Sequence, residues 1–350
     1  MCQCDARRRW LLNAAPAKRS RGSASGSAIR SFLQRLGIAV CWPISQRASD
    51  ALAAWPDQRK LNHGIVVMPD TPKKKIRISN RLSHSAIRVF PARRNEKGEL
   101  ILGAQATAFF WTNDGIVYVI TNWHNVTAWD PIKDRALSEI AFTPTCLDFS
   151  IELARDAGEG TVIRDRRKAT LDLFDGEGRP LWLEHPNFGR KVDVVALKVG
   201  ELGDARLLSQ PINTYADWTD FDISVGDDAY VLGYPVGLDG GAGFPIWKRA
   251  SIASEPDIDL DGLPKLVVDT ATRKGMSGSP VIAVRRGMAN PKGVVGITDK
   301  TVLGTAETFL GVYSGRLGDD PLGVQIGIVW KARVVEEILH GGLRGKTPFE

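Results

Sequence analysis

No apolar run in this 350-residue chain approaches the ~18 residues that cross a bilayer as a helix. The longest apolar stretch near the start, Gly37 to Ile44, is short and a poor match to a secretory leader. Cysteine is scarce: Cys2, Cys4, Cys41 and Cys146 are the four. Beyond residue 67 only Cys146 remains, so that part can close no internal disulfide, which points to a cytoplasmic setting. Cys2 and Cys4 stand too close together, without His or Cys partners, to suggest zinc. Neither a metal nor a cofactor is called for.

Net charge is +6, which invites a nucleic-acid reading, but its distribution argues against one. Residues 1–67 hold 11 Lys/Arg against 3 Asp/Glu, whereas the rest holds 35 against 37. The basicity therefore belongs to an Arg-, Ser- and Ala-rich tail, expected to be disordered apart from a short helix near Ala28–Leu36. Pro69 to Lys75 reads as a linker, and Met68 is a candidate start for the working protein. No nucleic-acid partner and no membrane span are expected.

From about Ile76 the texture changes to short β-type runs between turn signals. Ala86–Phe90, Ile101–Trp111, Ile116–Thr121, Ala169–Phe174, Asp193–Val199, Asp228–Leu232, Leu266–Asp269, Pro280–Val284, Gly293–Ile297, Thr308–Tyr313 and Val324–Trp330 read as strands. Asn113-Asp114-Gly115 signals a tight hairpin. Ala332–Leu339 has helical composition and stops at Gly341-Gly342. There is no repeat at a solenoid period. The pattern is all-β, a sandwich or barrel.

Three segments carry chemistry. In Gly275-Met276-Ser277-Gly278-Ser279-Pro280, glycines around a serine allow a turn that aims the Gly275 and Ser277 amides at one point, as an oxyanion hole requires. Ser279 stands where an α/β-hydrolase elbow needs glycine. Among the five histidines (His63, His84, His124, His185, His340), only His124 follows directly on a β run that ends in Thr-Asn. Asp193 heads an apolar strand, where a carboxylate can orient an imidazole. Each alone would read as ordinary structure. Together, in the order His, Asp, Ser, they are the base, orienter and nucleophile of acyl transfer.

On these residues the sequence resembles the trypsin-like serine peptidases, and within them the bacterial branch that includes the glutamyl endopeptidases. The matching segments are Thr121-Asn122-Trp123-His124-Asn125, Asp193 to Leu197, Gly275 to Pro280, and Gly233-Tyr234-Pro235-Val236-Gly237. The resemblance runs from about residue 78 to 340. It implies two antiparallel six-stranded β-barrels, one over about 78–200 and one over about 208–335, with a C-terminal helix. Residues 68–345 would then form one peptidase domain behind the 1–67 tail. It implies catalysis by His124, Asp193 and Ser277, and an oxyanion hole from Gly275 and Ser277. Ala271, Thr272, Tyr313, Ser314, Gly315 and Arg316 would form the substrate pocket, with Ser314 also supporting Asp193.

Departures qualify the match. The His-to-Asp interval is long, which implies an insertion over about 130–187, and a second over about 285–307. The glutamyl endopeptidases carry histidine where Tyr313 stands, which counts against glutamate preference; Arg273, Lys274 and Arg316 could meet an acidic side chain, but exposed Arg and Lys ordinarily form a solvated rim. Zymogens of the family place aspartate before the serine to receive a new N-terminus; Met276 stands there and forms no ion pair. The expected function is a serine endopeptidase acting on protein or peptide substrates. The alternatives are an inactive binding module on the same fold and an esterase using the same triad.

Overall fold

A computed structural model describes residues 78–138, 142–156, 162–199, 206–207, 209–317 and 325–350. The chain divides into Met1–Lys74 and Lys75–Glu350, and every described residue belongs to the second unit. The expectations for the tail, its helix, Met68 and the linker lie outside the described residues.

The first strands follow from the hairpin signal. β1 (Ala86–Arg94), β2 (Leu100–Leu102), β3 (Ala106–Asn113) and β4 (Ile116–Thr121) come in order. Asn113 pairs with Ile116, leaving Asp114-Gly115 as the loop, both at positive φ (49° and 76°). That is the turn whose twist matches its flanking strands. The single strand expected over Ile101–Trp111 is instead two. Leu102 faces Ala92 and Ala106 faces Val89, so this side carries one residue more than β1 does. The excess is taken up around Gly103–Gln105, as at a bulge.

The chain continues with β5 (Trp129–Asp130), β6 (Arg135–Ala136), β7 (Cys146–Asp156), β8 (Val162–Asp172), β9 (Trp182–Glu184), β10 (Val195–Lys198) and β11 (Arg206–Leu207). With β18 (Leu343–Arg344), the first sheet runs β11-β7-β1-β3-β4-β10-β9-β18; β2 adds to β1 and β8 to β7. It therefore has ten strands, not the six expected. Residues 130–187 contribute β7, β8 and β9 to it, so they are built into the sheet as well as onto it, and β11 and β18 come from beyond them. β7 pairs directly with β1, and its Leu147, Phe149, Ile151 and Leu153 alternate into the core.

The second half meets the expectation more simply. β12 (Asp228–Gly233), β13 (Ile246–Ile252), β14 (Lys265–Asp269), β15 (Pro280–Ala289), β16 (Val302–Arg316) and β17 (Ile326–Lys331) close a six-stranded antiparallel barrel, in the order β12-β13-β14-β17-β16-β15. The anticipated insertion over 285–307 is the outer part of the β15–β16 hairpin. Gly293–Ile297, expected as a strand, is loop at its tip. Val295 is 96% and Ile297 77% exposed and only Val294 is half-buried, so among the described residues this run has no strand partner and little to bury against.

Three buried clusters organise the interior. One fills the first sheet around Phe110, Trp123, Leu147 and Trp182. One fills the barrel around Val231, Val268, Met276 and Val329. The third lies between the halves, where Phe109, Ile120 and Val194 meet Leu232, Ile282 and Trp330. The C-terminal helix, Arg333–Gly341, packs Val334, Val335 and Ile338 onto it and ends at Gly342, φ 60°. Beyond it, Glu184 on β9 accepts hydrogen bonds from the indoles of Trp123 and Trp182 (2.9 Å each) and from the Lys346 amide (2.8 Å). This buried carboxylate ties the His124 segment to the C-terminal strand.

Candidate active site

β4 ends at Thr121, and the chain turns at once into the short helix Trp123–Thr127. Trp123 is fully buried and Asn122 donates to the Asp193 carbonyl at 2.6 Å, so His124 is held from both sides. Asp193 lies two residues before β10, the neighbour of β4 in the sheet. The sheet thus brings together residues 69 apart in sequence.

His124 Nδ1 lies 2.6 Å from Asp193 Oδ2, and the His124 amide donates to Asp193 Oδ1 at 2.9 Å. The Ser314 hydroxyl also donates to Asp193 Oδ2. With Nδ1–H committed to the carboxylate, Nε2 is the nitrogen left to accept a proton. Burial disfavours the imidazolium, but the Asp193 charge, the hydrogen bond to it and the Asp130 charge outweigh that cost. The His124 pKa therefore stands above 6.5. The other described histidines sit differently. His185 accepts the Asn187 and Phe188 amides at Nδ1 and meets Glu337 at 2.8 Å, a structural role. His84 lies 3.9 Å from Glu152, and His340 is in the C-terminal helix.

The 273–279 turn precedes β15 and is fastened to both halves. Gly275 has φ 96°, and a Cβ there would lie 2.4 Å from the Tyr234 carbonyl. Gly278 has φ 83°, and a Cβ would lie 2.1 Å from the Thr107 carbonyl. Both positions need glycine for conformation and for space. Thr107 on β3 donates its amide to the Ser277 carbonyl (2.9 Å) and its hydroxyl to the Gly275 carbonyl (2.7 Å). Asn125, next to His124, also donates to the Ser277 carbonyl (3.3 Å). The amides of Met276, Gly278 and Ser279 go to Arg273, Tyr313 and Met276 carbonyls. Among the described residues, no acceptor takes the amides of Gly275 or Ser277. Ser277 is partly exposed, and its hydroxyl has no hydrogen-bond partner among them.

The expected pocket residues divide by role. Tyr313 and Thr272 join hydroxyl to hydroxyl, and both are buried. Burial pushes the Tyr313 phenol up to about 12. Its ring lies across Gly327, where a Cβ would come within 2.5 Å of it. Ser314 is engaged by Asp193, while Ala271, Gly315 and Arg316 are half-buried. Arg273 and Lys274 are exposed. A cavity of about 330 Å³ between β1, β7 and the 234–244 segment contains none of the three candidate catalytic residues.

Residues 106–297, more than half of the chain, match the family model described as trypsin-like peptidase domain. The chain belongs to that family. The match includes His124, Asp193 and Ser277. Among solved structures, this trypsin-like domain is similar to the Rv3671c protease from M. tuberculosis in its active form. The identity is 18%, over 76% of this chain and 83% of that one, with a TM-score of 0.37. Comparison with curated proteins returns no match.

Sequence reasoning did not single out Gln105 or Thr107. Gln105 Nε2 donates to the Tyr234 carbonyl at 2.9 Å. Neither residue has a local signal, because each acts on a segment more than a hundred residues away. Val236 was also missed, although it lies in a quoted motif. It holds φ 45°, ψ 33°, a left-handed conformation that costs a β-branched residue on the order of 1–3 kcal/mol.

Proposed function

We propose that this trypsin-like domain is a serine endopeptidase, with Ser277 as nucleophile, His124 as general base and Asp193 as its orienter. The observation that carries the reading is the pairing of two features. A carboxylate fixes the His124 tautomer, and a glycine turn leaves the amides on and two before a partly exposed serine without acceptors among the described residues. Ser277 Oγ attacks the peptide carbonyl as His124 Nε2 takes its proton. The carbonyl oxygen becomes an oxyanion facing the Gly275 and Ser277 amides. Collapse breaks the C–N bond, and His124 delivers the proton to the departing amine. Water, deprotonated by His124, then attacks the acyl carbonyl, the ester C–O bond breaks, and His124 delivers that proton to Ser277 Oγ. Tyr313, buried across Gly327 with its hydroxyl on Thr272, supports a pocket for a short side chain. A fluorophosphonate probe is expected to label Ser277 in the wild type and not in Ser277→Ala. Cleavage-site mapping of a proteome digest against Ser277→Ala separates a peptidase from an esterase or an inert binding module.

The raised His124 pKa gives a pH signature. Protonated imidazole has no lone pair to accept the Ser277 proton. Activity is therefore lost as pH falls through the His124 pKa, and kcat/KM should rise to a plateau with a midpoint above 6.5. A midpoint at or below that value would contradict the Asp193 coupling.

Met276 is fully buried in the barrel core. Its thioether has no charge with which to receive an amine. Full-length protein is therefore expected to show the same active-site titre before and after limited N-terminal trimming. An inactive chain switched on by a cut that buries a new N-terminus would refute this.

A further inference from the structure

We infer that the Tyr234–Gly237 turn is a built-in clamp on the oxyanion hole, with the Val236 amide as its holding point; this rests on the peptidase reading above. The Val236 N–H donates to the Lys274 carbonyl at 2.7 Å. In a trans peptide the carbonyl and the next N–H point opposite ways. Fixing the Lys274 carbonyl toward the 234–237 turn therefore turns the Gly275 N–H away from it, leaving that donor without an acceptor among the described residues. Rotation of this one peptide would exchange a donor for a carbonyl and abolish the hole.

The clamp is itself braced. Tyr234 sends its hydroxyl to the Ala86 and Gly243 carbonyls, both at 3.1 Å. Its own carbonyl takes the Gln105 side-chain amide. Thr107 holds the carbonyl on the far side of Gly275. The Lys274–Gly275–Met276 backbone is thus gripped on both sides of the glycine, by the 234–237 turn and by β3. Packing does not explain the strained geometry at Val236, because its side chain is 64% exposed. The left-handed conformation directs its amide at Lys274, and an unfavourable backbone persists where its surroundings over-determine it. No charged N-terminus is needed in this arrangement, which agrees with buried Met276.

The test separates the amide from the side chain. Replacing the Val236 backbone amide by an ester, through incorporation of the matching α-hydroxy acid, removes only the N–H. The ester variant is expected to lose roughly 10- to 100-fold in kcat, with KM within about threefold, since an oxyanion donor acts chiefly in the transition state. Affinity for a peptide aldehyde inhibitor should fall in parallel. Val236→Gly keeps the N–H and relieves the strain, so it should keep kcat within about twofold and melt no lower than wild type. An ester variant with wild-type kcat and inhibitor affinity overturns the clamp, as does Val236→Gly matching the ester variant's loss. A wild-type chain no more active than Ser277→Ala overturns the peptidase reading and the clamp with it.

Discussion

Ser277→Ala and His124→Ala are each expected to reduce peptide hydrolysis by about 10⁴- to 10⁶-fold, leaving the residual rate that binding and the oxyanion hole supply. Combining them should cost little more than either alone if, as proposed, they act as one unit of nucleophile and base. Neither change should unfold the protein. Ser277 is partly exposed, and the turn around it is held by backbone groups that the substitution leaves intact. The check is kcat/KM on a peptide substrate, with circular dichroism and melting temperature as controls. Either variant keeping more than about a tenth of wild-type activity excludes the assignment.

Asp193→Asn is the second large effect. The carboxylate accepts the His124 ring N–H, the His124 amide and the Ser314 hydroxyl. An amide that presents its NH₂ to Nδ1 forces the proton onto Nε2, the nitrogen that accepts from Ser277 in the proposed mechanism. A loss on the order of 10⁴ in kcat is expected from the wrong tautomer. Losing the negative charge also removes the leading influence that raises the His124 pKa, so the remaining pH profile should shift to lower pH. Ser314→Ala serves as a graded comparison. It removes one donor to Asp193 and leaves the charge, so its loss should be far smaller. Equal losses in the two variants would mean that Asp193 acts by geometry alone.

Particular residues show how far the sequence could be read. Asp114-Gly115 announced its hairpin because only a few residues tolerate two positive φ values in succession. β7 was equally regular, with Leu147, Phe149, Ile151 and Leu153 alternating, but it lay within a stretch taken for an insertion. β13, Ile246–Ile252, was hidden by the adjacent charges of Lys248 and Arg249. Val294 and Val295 misled in the other direction: apolar, β-branched residues form a strand only where a neighbour pairs with them.

The sequence by itself determined the order His124, Asp193, Ser277, the glycines that let 275–278 turn, and the absence of an acid at 276. These are local requirements of backbone geometry and side-chain chemistry, so they are written where they act. Only the tertiary structure decided that the first sheet takes ten strands, that Thr107 and Gln105 brace the serine turn, and that Val236 accepts strain to hold Lys274. Those contacts join segments roughly 40 to 170 residues apart, with the Val236–Lys274 pair among the nearest. Their energy exists only once both barrel-two closure and the packing between the halves have brought the partners together, so no window of sequence carries a sign of them.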